Sequence, residues 1–354
     1  MSPGERSTFL APRAELASVA RHAAAARGAT VVADLSDSTN MWGPAPAAVR
    51  AAGEAVVGLA SYPSEYGDEL KAALAAYHAI SPLQIATGCG SDDVIRSAFA
   101  AYATPGAIIT WMEPTFVMIP VFARILGLDA QPVPYGPTFA VDAAALLARR
   151  AAVTYLCSPN NPTGTRAARD AVARVVEGAA GLVVMDEAYA DFAGETWIPE
   201  AVASGRLLVT RTFSKSFGLA GLRAGYGIAQ AAIIEAVEKV RGPYSLNRLA
   251  ERAAAAATRE DVAWMRDRAR EAVANRERLA DALRSIGYAP LPSGANFLTV
   301  PVRDSAALAD ACARRGVVVR AFRSLPAVGD AVRVAMAPWP VLELALAAFG
   351  EVSR

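Results

Sequence analysis

Short apolar, β-branched runs alternate with helical stretches across the first two-thirds of this chain, and no other feature restricts the fold as much. The runs fall at 31–35, 83–87, 107–111, 130–134, 153–157, 182–186 and 207–210. Segments with helical spacing lie between them, at 45–59, 67–78, 92–102, 115–126, near 142–150 and at 166–178. Continuous apolar strands, each followed by a helix, belong to a mostly parallel sheet covered on both faces. Ahead of them a helix is expected from about Arg13 to Arg27, stopped by Gly28. After Gly242 and Pro243 the texture changes. A long Ala/Arg/Glu-rich helical stretch over 249–286, broken near Arg259, leads into short strands at 295–302, 317–322 and 331–336, with helices at 305–315 and 340–350. That reads as a separate α+β unit of roughly 100 residues. The division expected is an N-terminal arm over 1–45, a large domain over 46–250 and a small C-terminal domain over 251–354.

A hydrophobic content of 54% in 354 residues can fill two such cores. The formal net charge of +1 gives no basis for bulk attraction to nucleic acid or to an anionic membrane. No apolar run approaches the ~20 residues of a membrane helix, and the first residues lack the pattern of a signal peptide. Cys89, Cys157 and Cys312 are too few and too widely spaced for a disulfide framework or a zinc site. A cytoplasmic protein without a metal is expected.

The chain has three lysines, Lys71, Lys215 and Lys239, among 35 basic side chains. Lys71 and Lys239 sit in helix-like runs where solvated lysines belong. Lys215 instead follows the 207–210 strand, in Thr212-Phe-Ser-Lys-Ser-Phe-Gly-Leu-Ala-Gly-Leu-Arg223. A buried strand there delivers an amine into a polar loop that also presents hydroxyls and a guanidinium. Such a loop suits an aldehyde cofactor bearing a phosphate: the amine forms an imine, while Ser214 and Arg223 bind the dianion.

Other strand ends carry their own polar groups. Asp186 closes the run Leu-Val-Val-Met-Asp and faces the crevice where parallel sheets bind ligands; alone, it is equally a cap on the following turn. Tyr189 lies three residues on. Asn161 sits in the Pro-punctuated turn after 153–157. Gly88-Cys-Gly-Ser-Asp joins a strand to a helix, so Gly90, Ser91 and Asp92 either cradle an anion or simply make a capped turn. Phe116 follows the 107–111 strand.

Together these segments resemble the fold-type I pyridoxal-phosphate aminotransferases, and most of all the histidinol-phosphate aminotransferase group, from about Pro44 to Phe349. The resemblance implies an α/β fold whose large domain holds a mostly parallel seven-stranded sheet, with a smaller α+β C-terminal domain. It implies pyridoxal 5′-phosphate as cofactor, bound as an imine to Lys215. Asp186 would hold the pyridine nitrogen protonated, Asn161 and Tyr189 would bind the phenolic oxygen, and Phe116 would stack on the ring. Gly90, Ser91, Asp92, Thr212, Ser214 and Arg223 would hold the phosphate. Tyr62 matches a tyrosine that the family supplies from the neighbouring subunit, which implies a homodimer with shared sites. Asn40, Tyr244, Asn247, Asn296, Arg320 and Arg333 fit the substrate side, where an arginine grips an anionic group. The partners implied are an amino donor, first L-histidinol phosphate, and a 2-oxo acid such as 2-oxoglutarate. Alternatives are an aromatic or specialised amino-acid aminotransferase, or a lyase resembling threonine-phosphate decarboxylase. Two segments depart from the family near the substrate: Ser38-Thr-Asn-Met41, followed by Trp42, replaces an Asn-Glu-Asn-Pro stretch, and Ala337-Pro-Trp-Pro340 replaces a Gly-Thr and paired-acid stretch; the N-terminal arm also lacks the family's usual Pro-Tyr pattern.

Overall fold

A computed structural model describes residues 31–352, together with Arg13, Leu16 and Val19. The helix expected over 13–27 lies almost wholly outside the described residues. β1 (Ala33–Asp34) belongs to the second half of the molecule. The large sheet is built from β2 (Ile85–Cys89), β3 (Ile108–Glu113), β4 (Asp129–Ala130), β5 (Val133–Pro134), β6 (Val153–Cys157), β7 (Leu182–Asp186), β8 (Leu207–Thr212) and β9 (Ala224–Ile228). Seven of these run side by side in the order β2-β9-β8-β7-β6-β3-β4, and β5 pairs with the far half of β3. The single strand expected over 130–134 is therefore two. Pro132, which has no N–H to donate, stands between them.

β9 is antiparallel to both of its neighbours, so β2, β3, β6, β7 and β8 all run one way. Their carboxyl ends meet at one edge of the sheet. Because β9 runs backwards, its first residue lies at that same edge, which brings the preceding Arg223 there too. The spacing of apolar residues does not reveal β9, since it alternates with glycine. The glycines are required by packing: a Cβ on Gly225 would lie 2.2 Å from the Ser91 nitrogen, and one on Gly227 would lie 2.8 Å from Val94.

Alternate residues of the central strands feed opposite cores, as the two-residue period of a strand demands. Val183 and Met185 pack with Leu70, Leu74 and Ala254, whereas Leu182 and Val184 pack with Ile95, Phe99 and Ile233. The second half of the molecule is built from β10 (Phe297–Pro301), β11 (Val317–Val318), β12 (Arg320–Leu325) and β13 (Gly329–Ala335). These form the antiparallel order β10-β13-β12, while β11 pairs in parallel with β1. The long helical stretch splits at Asp261. Helix Arg248–Glu260 packs in the large core, whereas helix Val262–Ser285 sends Ala269, Ala272, Leu279 and Leu283 into the other one. Asp261 also ties the junction down, since its carboxylate accepts hydrogen bonds from the nitrogens of Ala47 (2.8 Å) and Ala48 (3.3 Å). Among the described residues no helix is long and apolar enough to cross a membrane.

Candidate active site

The carboxyl edge of the large sheet opens into a cavity of about 690 Å³, closed on the other side by residues of β12 and β13. Lys215 stands in the loop after β8. Its Nζ donates to the Asp37 carbonyl at 2.8 Å and lies 5.6 Å from the centre of the Tyr189 ring. The side chain is half-buried and lines the cavity. Burial, and then the nearby Arg333 guanidinium, lower its pKa to about 8.

Asp186 ends β7 and is buried. One of its oxygens accepts from the Tyr155 hydroxyl at 2.7 Å and the other from the Ala188 nitrogen at 3.1 Å. Burial pushes its carboxyl up to about 6. Asn161 uses its side-chain oxygen to accept from Arg333 Nη1 at 2.5 Å, which leaves its NH₂ to donate into the cavity. Tyr189 is buried against Phe297 in an edge-on contact of 5.2 Å, and burial raises its pKa.

At the opposite end, Gly90 adopts a left-handed φ of +78°, and a Cβ there would lie 2.7 Å from Arg223 Nη2. Only a glycine lets the backbone come this close. Ser91 and Asp92 open helix Ser91–Tyr102 and line the cavity, so free backbone N–H groups face it. Arg223 Nη2 donates to Asp92 at 3.2 Å, and Nη1 donates to Ser214 Oγ at 3.4 Å. Burial raises the Asp92 pKa, and Arg223 opposes it. Thr212 lines the same wall and accepts from the Ser214 nitrogen at 3.1 Å. Phe116 faces the cavity from the loop after β3.

Arg333, on β13, is buried and donates to the Ser36 carbonyl at 2.6 Å, while its Nε has no partner. Arg320 lines the cavity 4.0 Å from the Asp37 carboxylate. With Lys215 and Arg223 they make four cations around one cavity, an environment for a doubly anionic guest.

The remaining expected residues stand elsewhere in the chain. Tyr62 is 79% exposed and stacks on Tyr244, ring centres 4.9 Å apart. Tyr244 does not line the cavity; its backbone has a left-handed φ of 63°, and its hydroxyl donates to Glu65 at 3.4 Å. Asn247 does not reach the cavity either, because it caps helix Arg248–Glu260 by accepting from the Ala250 nitrogen. Asn40 spends its amide on the Ser216 carbonyl and the Trp42 nitrogen. Asn296 donates to the Ser38 carbonyl at 3.0 Å and keeps a buried, unpartnered oxygen. Of the two departing segments only the first touches the cavity, through Thr39; Trp339, in the second, lies 3.6 Å under the Arg278 guanidinium.

Sequence reading missed Tyr155, Glu113, Cys157 and Asp37. The first was hidden inside an apolar strand. A tyrosine two residues before the end of a central parallel strand was nevertheless a signal, since a buried hydroxyl needs a partner.

The donor set suits pyridoxal phosphate. An amine that is partly deprotonated near neutrality and a buried carboxylate line one cavity, together with a helix start, an arginine and hydroxyls. Residues 31–347 match the family model described as aminotransferase class I and II. The chain belongs to that family. It is 40% identical over 318 residues to a histidinol-phosphate aminotransferase of Chromobacterium violaceum, with 87% of this chain and 88% of that one covered. A second such enzyme, from Thiobacillus denitrificans, is 36% identical over 307 residues, covering 85% of each. The crystal structure of histidinol-phosphate aminotransferase from Sinorhizobium meliloti, in complex with pyridoxal-5′-phosphate, superposes with a TM-score of 0.82 at 26% identity. It covers 98% of this chain and 95% of that one. This aminotransferase therefore acts on an amino donor and a keto acid.

Proposed function

We propose that this aminotransferase moves the amino group of L-histidinol phosphate to a 2-oxo acid such as 2-oxoglutarate, using pyridoxal 5′-phosphate held at Lys215. The observation that carries the proposal is Arg333, a buried guanidinium turned toward Asn161 and set apart from the Arg223 end of the cavity. Two anions, one at each end, then have separate cations to bind.

When bound, pyridoxal phosphate supplies an aldehyde that condenses with amines and a ring that withdraws electrons from the carbon beside the nitrogen. Lys215, with a pKa of about 8, has a useful deprotonated fraction at neutral pH and acts as the nucleophile that retains the cofactor. With the cofactor bound, the freed Lys215 amine would take the proton from the donor's Cα as a base and, as an acid, deliver it to the carbon that had carried the cofactor's aldehyde. Asp186 offers a carboxylate to the ring nitrogen, and Tyr155 and the Ala188 nitrogen keep that carboxylate aimed. Asn161 and Tyr189 would hold the phenolic oxygen, and Phe116 would stack on the ring. Gly90, Ser91, Asp92, Thr212, Ser214 and Arg223 bind the phosphate. Arg333 and Arg320 bind the donor's anionic group, and Asn296 supports that side indirectly, by holding the Ser38 carbonyl. Asn40 acts indirectly, by holding the Ser216 carbonyl.

We infer a homodimer as the working assembly. Tyr62 shares a short exposed segment with Val57 (95% exposed) and Leu59 (58% exposed), an apolar strip that a second copy would cover. Tyr62 then reaches the phosphate in the neighbouring site, and Tyr244 stacked on it belongs to the same face. We place the boundary between the two domains at Asp261, where the helical packing changes sides, with residues 33–35 counted in the small domain.

A spectrophotometric half-reaction tests the substrate. Histidinol phosphate in stoichiometric amount should bleach the visible band of the lysine-bound cofactor, and 2-oxoglutarate should restore it. Bleaching by aromatic amino acids but not by histidinol phosphate would refute the substrate, and carbon dioxide release would point to a lyase. For the dimer, Tyr62→Phe removes one hydrogen bond to a dianion, about 1.5–3 kcal/mol, so cofactor affinity should fall roughly tenfold or more. A Lys215→Ala chain mixed with a Tyr62 variant too weak to work alone should regain activity, because one site of the heterodimer takes both residues from unmutated copies. A mixture that forms heterodimers yet stays inactive would confine Tyr62 to its own subunit.

A further inference from the structure

Behind the cavity, and outside its lining, lies a chain of buried charges that the proposed chemistry leaves unused. Arg211 precedes Thr212 on β8 and points to the other face of the sheet. Its Nε donates to Glu187 at 2.9 Å, Nη2 lies 2.8 Å from the same carboxylate, and Nη1 donates to Asp191 at 2.9 Å. The Glu187 side chain is fully buried and also accepts from Thr196 Oγ1 (2.8 Å) and the Trp197 nitrogen (2.5 Å). The second Asp191 oxygen accepts from Ser216 Oγ at 2.5 Å. Glu187 directly follows Asp186, and Ser216 directly follows Lys215. The network thus ties together the two residues next to groups that both line the cavity.

We propose that Arg211 and Asp191 are positioning residues, which act through Ser216 to hold the Lys215 amine in the cavity, against the Asp37 carbonyl. The Ser216 residue is held at both of its polar ends, since its carbonyl accepts from Asn40 Nδ2 at 2.9 Å while its hydroxyl is held by Asp191. With the neighbouring residue pinned in this way, the lysine has only its own side-chain torsions left to explore. Stability gives the network little reason to exist. A buried guanidinium with two carboxylates costs desolvation that its attractions only partly offset, and an apolar replacement of equal volume is often no worse. Geometry is what such a network adds. The inference rests on Lys215 being the cofactor lysine, but not on the identity of the amino donor.

The test follows the amine itself in the cofactor-free protein. The chain has only three lysines, and Lys239, paired with Glu235 on an exposed helix face, serves as an internal reference. Acetylation of Lys215 by trace acetic anhydride, read by peptide mass across pH, reports its ionisation. The charged groups that act on this amine are Arg333, Arg223, Asp37 and Asp92. Ser216→Ala should free the loop, let the amine reach water and move away from Arg333, and raise the labelling midpoint from about 8 by a unit or more. The half-reaction rate of the holoenzyme, with any donor that drives it, should fall tenfold or more. Asp191→Asn should do the same, and Ser216→Thr, which keeps the hydroxyl, should restore both. If Ser216→Ala leaves either the midpoint or the rate unmoved, the proposal is wrong, even if the melting temperature falls. Should Asp191→Asn fail to fold, Ser216→Ala still decides, because it removes one oxygen and leaves the ion pairs standing. A failure of histidinol phosphate as donor would not alter the labelling result.

Discussion

Lys215→Ala is expected to lower turnover by roughly 10⁴-fold or more, because it removes both the nucleophile that retains the cofactor and the base that moves the proton. The wild-type protein should show the visible absorption of a lysine-bound cofactor, and borohydride should fix that cofactor covalently on a single peptide. Both signals should vanish in the variant. Lys71 cannot substitute, since it is paired with Glu238 at 2.5 Å and is absent from the cavity lining. Reduced cofactor found on Lys71 or Lys239 would overturn the assignment of the site.

Asp186→Asn should separate activity from stability. In the loaded enzyme it should retain cofactor yet lose roughly 10²–10³-fold in turnover, because a neutral amide no longer favours a protonated ring nitrogen. The cofactor-free protein should respond differently. Burial raises the Asp186 pKa to about 6, above its unfolded value. The stability this group contributes is thus fully present below about pH 4 and is lost as pH rises through about 6. At pH 7 the isolated pocket carries a buried carboxylate that costs up to about 3 kcal/mol. Thermal melts of the cofactor-free variant at pH 7 should therefore lie no lower than wild type. A wild-type rate in the variant would remove the electron-sink role, and a large drop in its cofactor-free melting temperature would show that Tyr155 and Ala188 depend on the charge.

Lys215, Asp186, Asn161, Phe116, Ser91 and Asp92 were legible because each follows a strand that runs in the common direction. Parallel strands deliver their ends to one edge, so linear order translates directly into proximity. Arg320 and Arg333 sit on strands whose pattern was also visible, and they close the cavity from the other side. What could not be read arose from contacts between backbones or between distant segments. The glycines of β9 look like turn residues until Ser91 and Val94 are seen packed on them. Tyr155 looks like one more apolar core residue until its hydroxyl is found on Asp186. Asn247 carries the same residue type as a ligand would, but its position at the start of a helix commits it to the Ala250 nitrogen. No periodicity distinguishes those two fates.

The pairing of β1 with β11 has a consequence for the order in which the molecule is made. Ala33 and Asp34 leave the ribosome early, but their partners Val317 and Val318 emerge only after most of the chain. Until then Leu35, fully buried in the finished protein, has no core to enter. The large sheet, complete once Ile228 is out, can form well before. Contacts between segments so far apart in sequence form slowly, and exposed apolar stretches waiting for them attract chaperones and other nascent chains. The cavity-lining residues from Arg320 to Arg333 are synthesised after all the others. A newborn chain therefore assembles the Lys215 side of its pocket first and gains the opposing wall only after the large sheet is complete.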